Sequence, residues 1–230
     1  MTSDTLFAIL TGDLIGSTRA SQKRVEHTMN LLSGGLPPGI RWDGWTEANV
    51  RFTRHRGDGW QALAPEPDLA LRWAVTLLAG LLADPEALGT RISIGIGTVN
   101  NLGTVDLRDA SGPAFEASGR GLDAMRRDET LFMMGEETGH SATETPRLSG
   151  AEKASVMLID ERMARWSPEQ AEATAHLLHP SAPPATEIAR RLSITPQAVS
   201  YRLKGAGART LKDALSALEH DWRKTWSRQL

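Results

Sequence analysis

The sequence predicts an α/β sheet domain, built as an α+β sandwich, followed by an all-α C-terminal domain. Short apolar runs alternate with amphipathic helical patterns over residues 1–135, whereas residues 151–230 carry helical patterns only. Residues 136–150 between them are polar and hold Gly, Ser, Thr and Pro, which is typical of a linker. Interleaved strands and helices form a sheet whose faces the helices cover. We therefore expect a sheet domain, a linker and a helical domain with these bounds.

Apolar periodicity predicts each element of the sheet domain. A continuous apolar run from Leu6 is typical of a buried strand, which then turns at Gly12 and Asp13. The segment Arg56–Gly59 contains an Asp-Gly turn signal between two strand patterns and predicts a hairpin. The expected order is a strand opening Leu6–Thr18, a helix at Gln22–Leu32, strands at Asn49–His55 and Trp60–Leu63, a helix at Asp68–Leu82, a strand at Arg91–Val99, a helix at Pro113–Arg127 and a strand at Leu131–Met134.

The strand predicted at Arg91–Val99 alternates isoleucines with small residues. Its glycines, Gly95 and Gly97, fall on one face. Glycine inside a strand often marks the close approach of a ligand or of another backbone. The sequence leaves both alternatives open.

The C-terminal domain begins with a helix predicted at Ala151–Arg165. Ser167 and Gln170 have the spacing of a capping box and predict a second helix that runs to about His179. The proline-rich stretch Pro180–Pro184 is expected to be a rigid hinge. A last helix, Thr210–Trp226, carries an apolar stripe that we interpret first as core and second as a dimer seam. The stripe consists of Leu211, Leu215, Leu218, Trp222 and Trp226.

The stretch Thr186–Lys204 has the pattern of a helix-turn-helix, spanning residues 186–204. Ile188, Ala189 and Leu192 share one face of the first predicted helix. Thr195 is a good N-cap for the second helix, and proline at the next position suits the first helical turn. Ser193 stands where many such turns carry Gly, so a positive φ at this residue would be somewhat strained.

The outward face of the second predicted helix is suited to DNA. Val199 and Leu203 repeat at i, i+4 and face inward, which leaves polar side chains outside. In a helix-turn-helix this outer face enters the major groove. Two short helices joined by a tight turn also occur in bundles that bind no nucleic acid. The candidate DNA-binding residues are Thr195, Gln197, Ser200, Tyr201, Arg202 and Lys204.

Composition limits the possible functions. The 230 residues include no cysteine, which excludes disulfides and thiolate metal sites and fits a reducing cytosol. No long apolar run predicts a membrane span, so a cytoplasmic protein with no membrane partner is expected. The net charge of −2 hides an asymmetry, because residues 186–230 carry nine basic and four acidic residues. A basic C-terminal region on an acidic body favours a polyanionic partner there.

Two Gly-Asp pairs stand where strands are predicted to end, at Asp13 and Asp58. Mg²⁺ prefers hard oxygen ligands, and a carboxylate at each of two neighbouring strand ends can hold such an ion. Asp is also common in turns for backbone reasons alone. A metal site and a pair of turn formers are therefore both consistent with the pattern.

Several motifs resemble those of class III nucleotide cyclases, over roughly residues 6–127. DLIGST at Asp13–Thr18 resembles their first metal-binding segment, and RHRGDGWQALA at Arg54–Ala64 resembles the second. The resemblance implies a ferredoxin-like sheet domain in which Asp13 and Asp58 bind Mg²⁺ or Mn²⁺ with a nucleotide. It further implies base recognition by Arg54 and Asp109 and transition-state stabilisation by Arg120. Glu116 matches the position of a ribose-orienting asparagine.

Two departures argue against an efficient cyclase. A negative charge at Glu116 would repel a triphosphate. No lysine occurs between Lys23 and Lys153, so the triphosphate-binding lysine of the cyclases has no counterpart. Electrostatic stabilisation is usually the largest catalytic contribution, so these losses weigh against turnover. They do not weigh against nucleotide binding.

Nearly the whole chain is similar to the SatD family. The similarity is carried by GDLIGST, GDGW, GPAF, the start of a helix at WSPEQ (Trp166–Gln170) and the C-terminal helix-turn-helix. It implies a degenerate cyclase-type domain fused to a DNA-binding tail. We therefore expect a transcriptional regulator that binds double-stranded DNA as a homodimer, with a sheet domain that binds a nucleotide or phosphate ligand or dimerises. The alternatives are an active metal-dependent nucleotide cyclase and a purely dimerising scaffold.

Overall fold

A computed structural model describes residues 5–34, 36–37, 40, 42, 50–55, 57–104, 106–135, 148–181 and 183–226. Its sheet has five strands in the order β2-β3-β1-β4-β5. Every neighbouring pair is antiparallel except β4 and β5, which run parallel. The strands are β1 (Phe7–Leu14), β2 (Arg51–Arg54), β3 (Gly59–Ala64), β4 (Thr90–Gly97) and β5 (Leu131–Gly135).

Eight α-helices accompany the sheet in the described part of the chain. They are α1 (Gln22–Ser33), α2 (Ala70–Ala83), α3 (Pro113–Ala124), α4 (Gly150–Met163), α5 (Pro168–Leu177), α6 (Ala185–Leu192), α7 (Pro196–Ala206) and α8 (Ala208–Trp226). The mixed α/β architecture predicted from the sequence is therefore confirmed. The helix predicted to reach Arg127 ends at Ala124, because Met125 has extended backbone angles. Most of the predicted linker, residues 136–147, lies outside the described residues.

The two faces of the sheet carry different helices. Ala8 and Leu10 of β1 belong to the large core that also contains residues of α1 and α2, whereas Ile9 packs with Ala114 and Phe115 of α3. Since side chains alternate along a strand, Thr11 and Asp13 lie on the α3 face with Ile9. Thr11 accordingly shares a hydrogen bond of 2.7 Å with Ser118 of α3.

The glycine face of β4 is explained by the backbone of α3. A Cβ atom on Gly95 would lie 2.2 Å from the carbonyl oxygen of Ala114 and 2.4 Å from the amide nitrogen of Ser118. Neither backbone atom can move away without shifting the helix. Of the two alternatives that the sequence left open, close backbone approach applies at Gly95.

The C-terminal helices pack on the sheet region and share its core. α5 lies against α2, and one continuous apolar cluster contains Trp73 of α2, Ala171 of α5 and Leu215 of α8. A buried ion pair joins the same regions, with Arg72 Nε donating to Glu219 at 2.6 Å. The predicted hinge at residues 180–184 includes Ala182, which lies outside the described residues.

Most of the apolar stripe of α8 is buried within this chain. Leu211, Leu215, Trp222 and Trp226 are all buried, and the two tryptophan rings stack with centroids 5.3 Å apart. Trp222 also donates a hydrogen bond to Glu152 of α4. This confirms the interpretation of the stripe as core for these four residues.

In the described part of the chain, no helix has the length and apolar character required to cross a membrane.

Candidate functional sites

The sheet brings Asp13 and Asp58 to the same end of neighbouring strands. Asp13 lies opposite Gly59 in the β1–β3 pairing, one residue from Asp58. The amide of Leu14 donates to the carbonyl oxygen of Asp58 at 3.1 Å. The backbone therefore places these two residues next to each other at one end of the sheet, as the sequence predicted.

Arg91 lies directly beside this pair and was not singled out by the sequence. It faces Asp13 in the β1–β4 register, and its Nε donates to Oδ1 of Asp13 at 2.9 Å. Its Nη2 donates to the other carboxylate oxygen, so the contact is bidentate. The hydrogen bond to Asp13 and the charges of Asp13, Asp123 and Asp58 raise the pKa of Arg91 against the effect of burial.

The contacts of the two aspartates do not fit a divalent metal as they stand. Asp13 is neutralised by Arg91, and the carboxylate of Asp58 accepts a hydrogen bond from the Ser17 hydroxyl. Among the described residues, no group of three or more His, Asp or Glu side chains is placed to hold a metal ion. Mg²⁺ needs several oxygen ligands in near-octahedral geometry, which a guanidinium-bound carboxylate does not offer. We derive no metal-dependent step from this arrangement.

The two residues matched to base recognition lie on opposite faces of the sheet. Arg54 reaches α1, where Nη1 donates to both carboxylate oxygens of Glu26 at 2.9 Å. Asp109 ends a short 3₁₀ turn on the α3 face, where Leu107 packs with Ile9. The Asp109 carboxylate accepts from the hydroxyl of Thr104 at 3.3 Å. One chain therefore does not bring Arg54 and Asp109 together.

Glu116 and Arg120 lie one turn apart on α3. Arg120 Nη1 is 3.6 Å from Glu116 Oε2, and both side chains are largely exposed. An exposed pair of this kind contributes only about 0.3–0.5 kcal/mol to stability. The arginine matched to transition-state stabilisation thus faces an acid of its own helix.

The turn between α6 and α7 has the geometry that the sequence predicted for these residues. Ser193 adopts φ of 54°, in the left-handed region, and is the only described non-glycine residue with positive φ. The Thr195 side chain caps α7 by accepting from the amide of Ala198 at 3.1 Å. Ile188, Ala189, Val199 and Leu203 are buried, as their spacing predicted.

The outer face of α7 is exposed. Gln197, Ser200 and Lys204 are exposed, and Tyr201 is 80% exposed. Arg202 differs from its neighbours, because its Nη1 donates to Glu172 of α5 at 2.8 Å. The exposed set therefore forms one continuous polar surface along α7, with Arg202 at its inner border.

The WSPEQ segment fixes α7 on α5. Ser167 and Gln170 form the predicted capping box at the start of α5. Trp166 is buried, and its indole nitrogen donates to the carbonyl oxygen of Ala206 at 2.9 Å. This bond satisfies a carbonyl group at the C-terminal end of α7 and orients the helix against the rest of the chain.

Comparisons with solved structures give a weak likeness to a cyclase. A solved structure described as the crystal structure of the guanylyl cyclase Cya2 matches with a TM-score of 0.37 and 18% sequence identity, over 58% of this chain and 77% of that one. No protein-family model and no curated protein matches the chain. A TM-score this low supports no conclusion about function.

Proposed function

We propose that this chain is a DNA-binding transcriptional regulator in which α6 and α7 form a helix-turn-helix. One observation carries the proposal: α7 buries Val199 and Leu203 and presents a polar surface that includes Tyr201, 80% exposed. An exposed aromatic on a helix that is otherwise well packed contributes little to folding. The same side chain, together with Gln197 and Lys204, can reach base edges and phosphates in the major groove.

Charge supports this assignment. Residues 186–230 carry nine basic and four acidic residues, a net charge of +5. Glu219, one of the four acids, is buried and paired with Arg72 of the sheet region, so it does not oppose a phosphate at the surface. Neutralising phosphates releases counterions and makes affinity depend strongly on salt.

A dimer would give the regulator two reading helices. Readers of this type gain specificity by binding two half-sites about one turn of DNA apart. A ligand site that used both Arg54 and Asp109 would also need two copies, because these residues lie on opposite faces of one sheet. We therefore propose a homodimer held through the sheet region, which sedimentation analysis of the full chain can test.

The DNA proposal is tested by selecting duplexes from a random library and measuring their affinity by fluorescence anisotropy at several salt concentrations. Lys204→Ala should weaken binding about tenfold and reduce the salt slope by about 1. Lys224→Ala is the matched control, since Lys224 is also exposed and basic but lies on α8. Failure to enrich any duplex, or equal losses in the two variants, would contradict the assignment.

For the sheet region we propose binding of a nucleotide or another phosphate compound near Asp13 and Asp58, with Mg²⁺ or Mn²⁺ entering only when Arg91 releases Asp13. Titration calorimetry with MnCl₂ tests the metal. Arg91→Gln should raise the affinity about tenfold, because the freed carboxylate becomes a ligand, and Arg91→Gln/Asp13→Asn should abolish the gain. Equal affinities for Mn²⁺ in the wild type and in Arg91→Gln would exclude competition between Arg91 and the metal for Asp13.

Thermal shift with ATP or GTP tests the binding of a nucleotide.

A further inference from the structure

A cavity of about 590 Å³ lies where the sheet region meets α5 and α6. Its wall includes Gly80 and Ala83 from the end of α2, His176 from α5, and Arg191 and Leu192 from α6. Volumes of this size are typical of small-molecule sites, which also favour the boundaries between regions of a fold. The cavity shares no lining residue with the Asp13 and Asp58 cluster.

His176 is a buried polar group of the cavity wall. The residue is 7% exposed, and its Nδ1 has no hydrogen-bond partner within the described residues. Burial lowers the pKa of His176, and the charge of Arg191 lowers it further, whereas Glu172 acts in the opposite sense. Buried polar atoms are nearly always satisfied in native proteins, and His176 is the residue of this wall with a buried ring nitrogen for which the described residues supply no partner.

The other polar groups of the wall are two acids, Asp84 and Glu172, and one arginine, Arg191. Asp84 is hydrogen-bonded to His27 at 2.9 Å, and Glu172 accepts from Arg202 at 2.8 Å, so the acids are already engaged. Of the Arg191 nitrogens, only Nε donates within the described chain, to Glu187 at 2.9 Å. Its two terminal nitrogens are available for a planar acceptor.

The geometry points to a binding site for a small organic anion in this cavity. We infer that a carboxylate or phosphate group of the ligand accepts from the terminal nitrogens of Arg191 and that the ring of His176 supplies a second polar contact. The apolar body of the ligand would lie against Ile40, Ala83 and Leu192, which also line the cavity. Arginine is well suited to this role because its donors match both kinds of acid group. The inference does not depend on DNA binding by α7.

Three probes that share a phenyl ring and differ in their polar group test this inference. They are phenyl phosphate, benzoate and the neutral benzamide. Binding to the ¹⁵N-labelled full chain is followed by amide shifts in NMR spectra, which report both the dissociation constant and the location. We expect at least one anion to bind about tenfold more tightly than benzamide, with shifts around His176 and Arg191. The better of the two anions identifies the acid group.

Arg191→Gln tests the guanidinium, and Arg190→Gln is its matched control. Both arginines are paired with Glu187, but Arg190 does not line the cavity and its side chain is 73% exposed. Arg191→Gln should weaken binding of the anion about tenfold, and Arg190→Gln should leave it within about twofold. His176→Leu, which keeps an apolar side chain of similar size, should weaken it as well.

Three results would overturn the inference. The first is equal affinity for benzamide and both anions, the second is an equal loss in the two arginine variants, and the third is no saturable binding of any probe up to about 10 mM. Unchanged unfolding midpoints would show that the loss in Arg191→Gln comes from the site rather than from the fold.

Discussion

The polar residues at the sheet end and those on α7 differ in what they contact. At the sheet end the candidate groups are bonded to neighbours: Asp13 to Arg91, Asp58 to Ser17, and Arg54 to Glu26. On α7, the described part of the chain offers no hydrogen bond to the side chains of Gln197, Ser200, Tyr201 or Lys204, all of which are exposed. The first set stabilises the fold of the free protein, and the second set does not.

This difference predicts how each region responds to a partner. A ligand at the sheet end must displace charged hydrogen bonds, each of which contributes about 1.5–3 kcal/mol. A partner of α7 displaces only water and counterions. The proposed partner of α7 therefore requires no rearrangement of side-chain hydrogen bonds, whereas the proposed ligand of the sheet end requires Arg91 or Glu26 to move.

The largest expected effect tests whether the two regions are one folding unit. Arg72→Ala should lower the free energy of unfolding by about 3–5 kcal/mol, because it leaves the Glu219 carboxylate buried without its partner. Urea unfolding followed by both circular dichroism and tryptophan fluorescence should show one transition at a lower midpoint. The two probes are informative because buried tryptophans occur in both regions.

A double variant provides the control for this ion pair. Arg72→Met/Glu219→Leu removes both charges and should restore most of the stability, because apolar residues of similar volume can replace a buried pair. Two separate transitions in the wild type, with only one of them altered by Arg72→Ala, would instead show that the regions unfold independently.

The next effect concerns packing within the sheet region. Gly95→Ala should cost about 1–3 kcal/mol, because the added Cβ meets backbone atoms of α3. Gly119→Ala is the control, since a Cβ there meets nothing within 4 Å and alanine favours the helix by about 0.5–1 kcal/mol. Thermal unfolding should move the two midpoints in opposite directions. A stabilising Gly95→Ala would show that α3 can move away from β4.

A smaller effect is expected at the boundary between the regions. Because burial lowers the pKa of His176 in the folded chain, the unfolded chain binds a proton more readily. The contribution of the neutral ring to the free energy of unfolding is fully present above about pH 6.5. It falls as the pH drops below that value, by at most about 1.4 kcal/mol per pH unit. His176→Leu should flatten this slope in urea titrations between pH 7 and 5. An unchanged slope would assign the dependence to other groups.

The smallest effect is expected at the turn before α7. Ser193→Gly relieves a left-handed conformation and should raise the free energy of unfolding by about 0.5 kcal/mol. Thermal unfolding measures the change, and DNA affinity should stay the same because the exposed face of α7 is untouched. A loss of stability would mean that the entropy of glycine in the unfolded chain outweighs the relief of strain.

Local structure was predictable because it depends on neighbours in sequence. The apolar spacing of Val25, Met29 and Leu32 predicted the buried face of α1, and the capping box at Ser167 predicted the start of α5. The bounds of α3 were less predictable, since nothing in the periodicity indicates the extended backbone at Met125. The glycine face of β4 was visible in the sequence, but the identity of its neighbour was not.

The sequence by itself determined the elements, their amphipathic faces and the residues of the α6–α7 turn, because hydrophobic periodicity, capping and turn chemistry act over a few residues. Only the tertiary structure decided which charges meet. Arg91 reaches Asp13 through strand register across 78 residues, and Arg72 meets Glu219 across 147 residues. His176 and Arg191 line one cavity only because α5 packs on α2 and α6 packs on α5. Such pairings follow from the balance of packing over the whole chain, which no local pattern encodes.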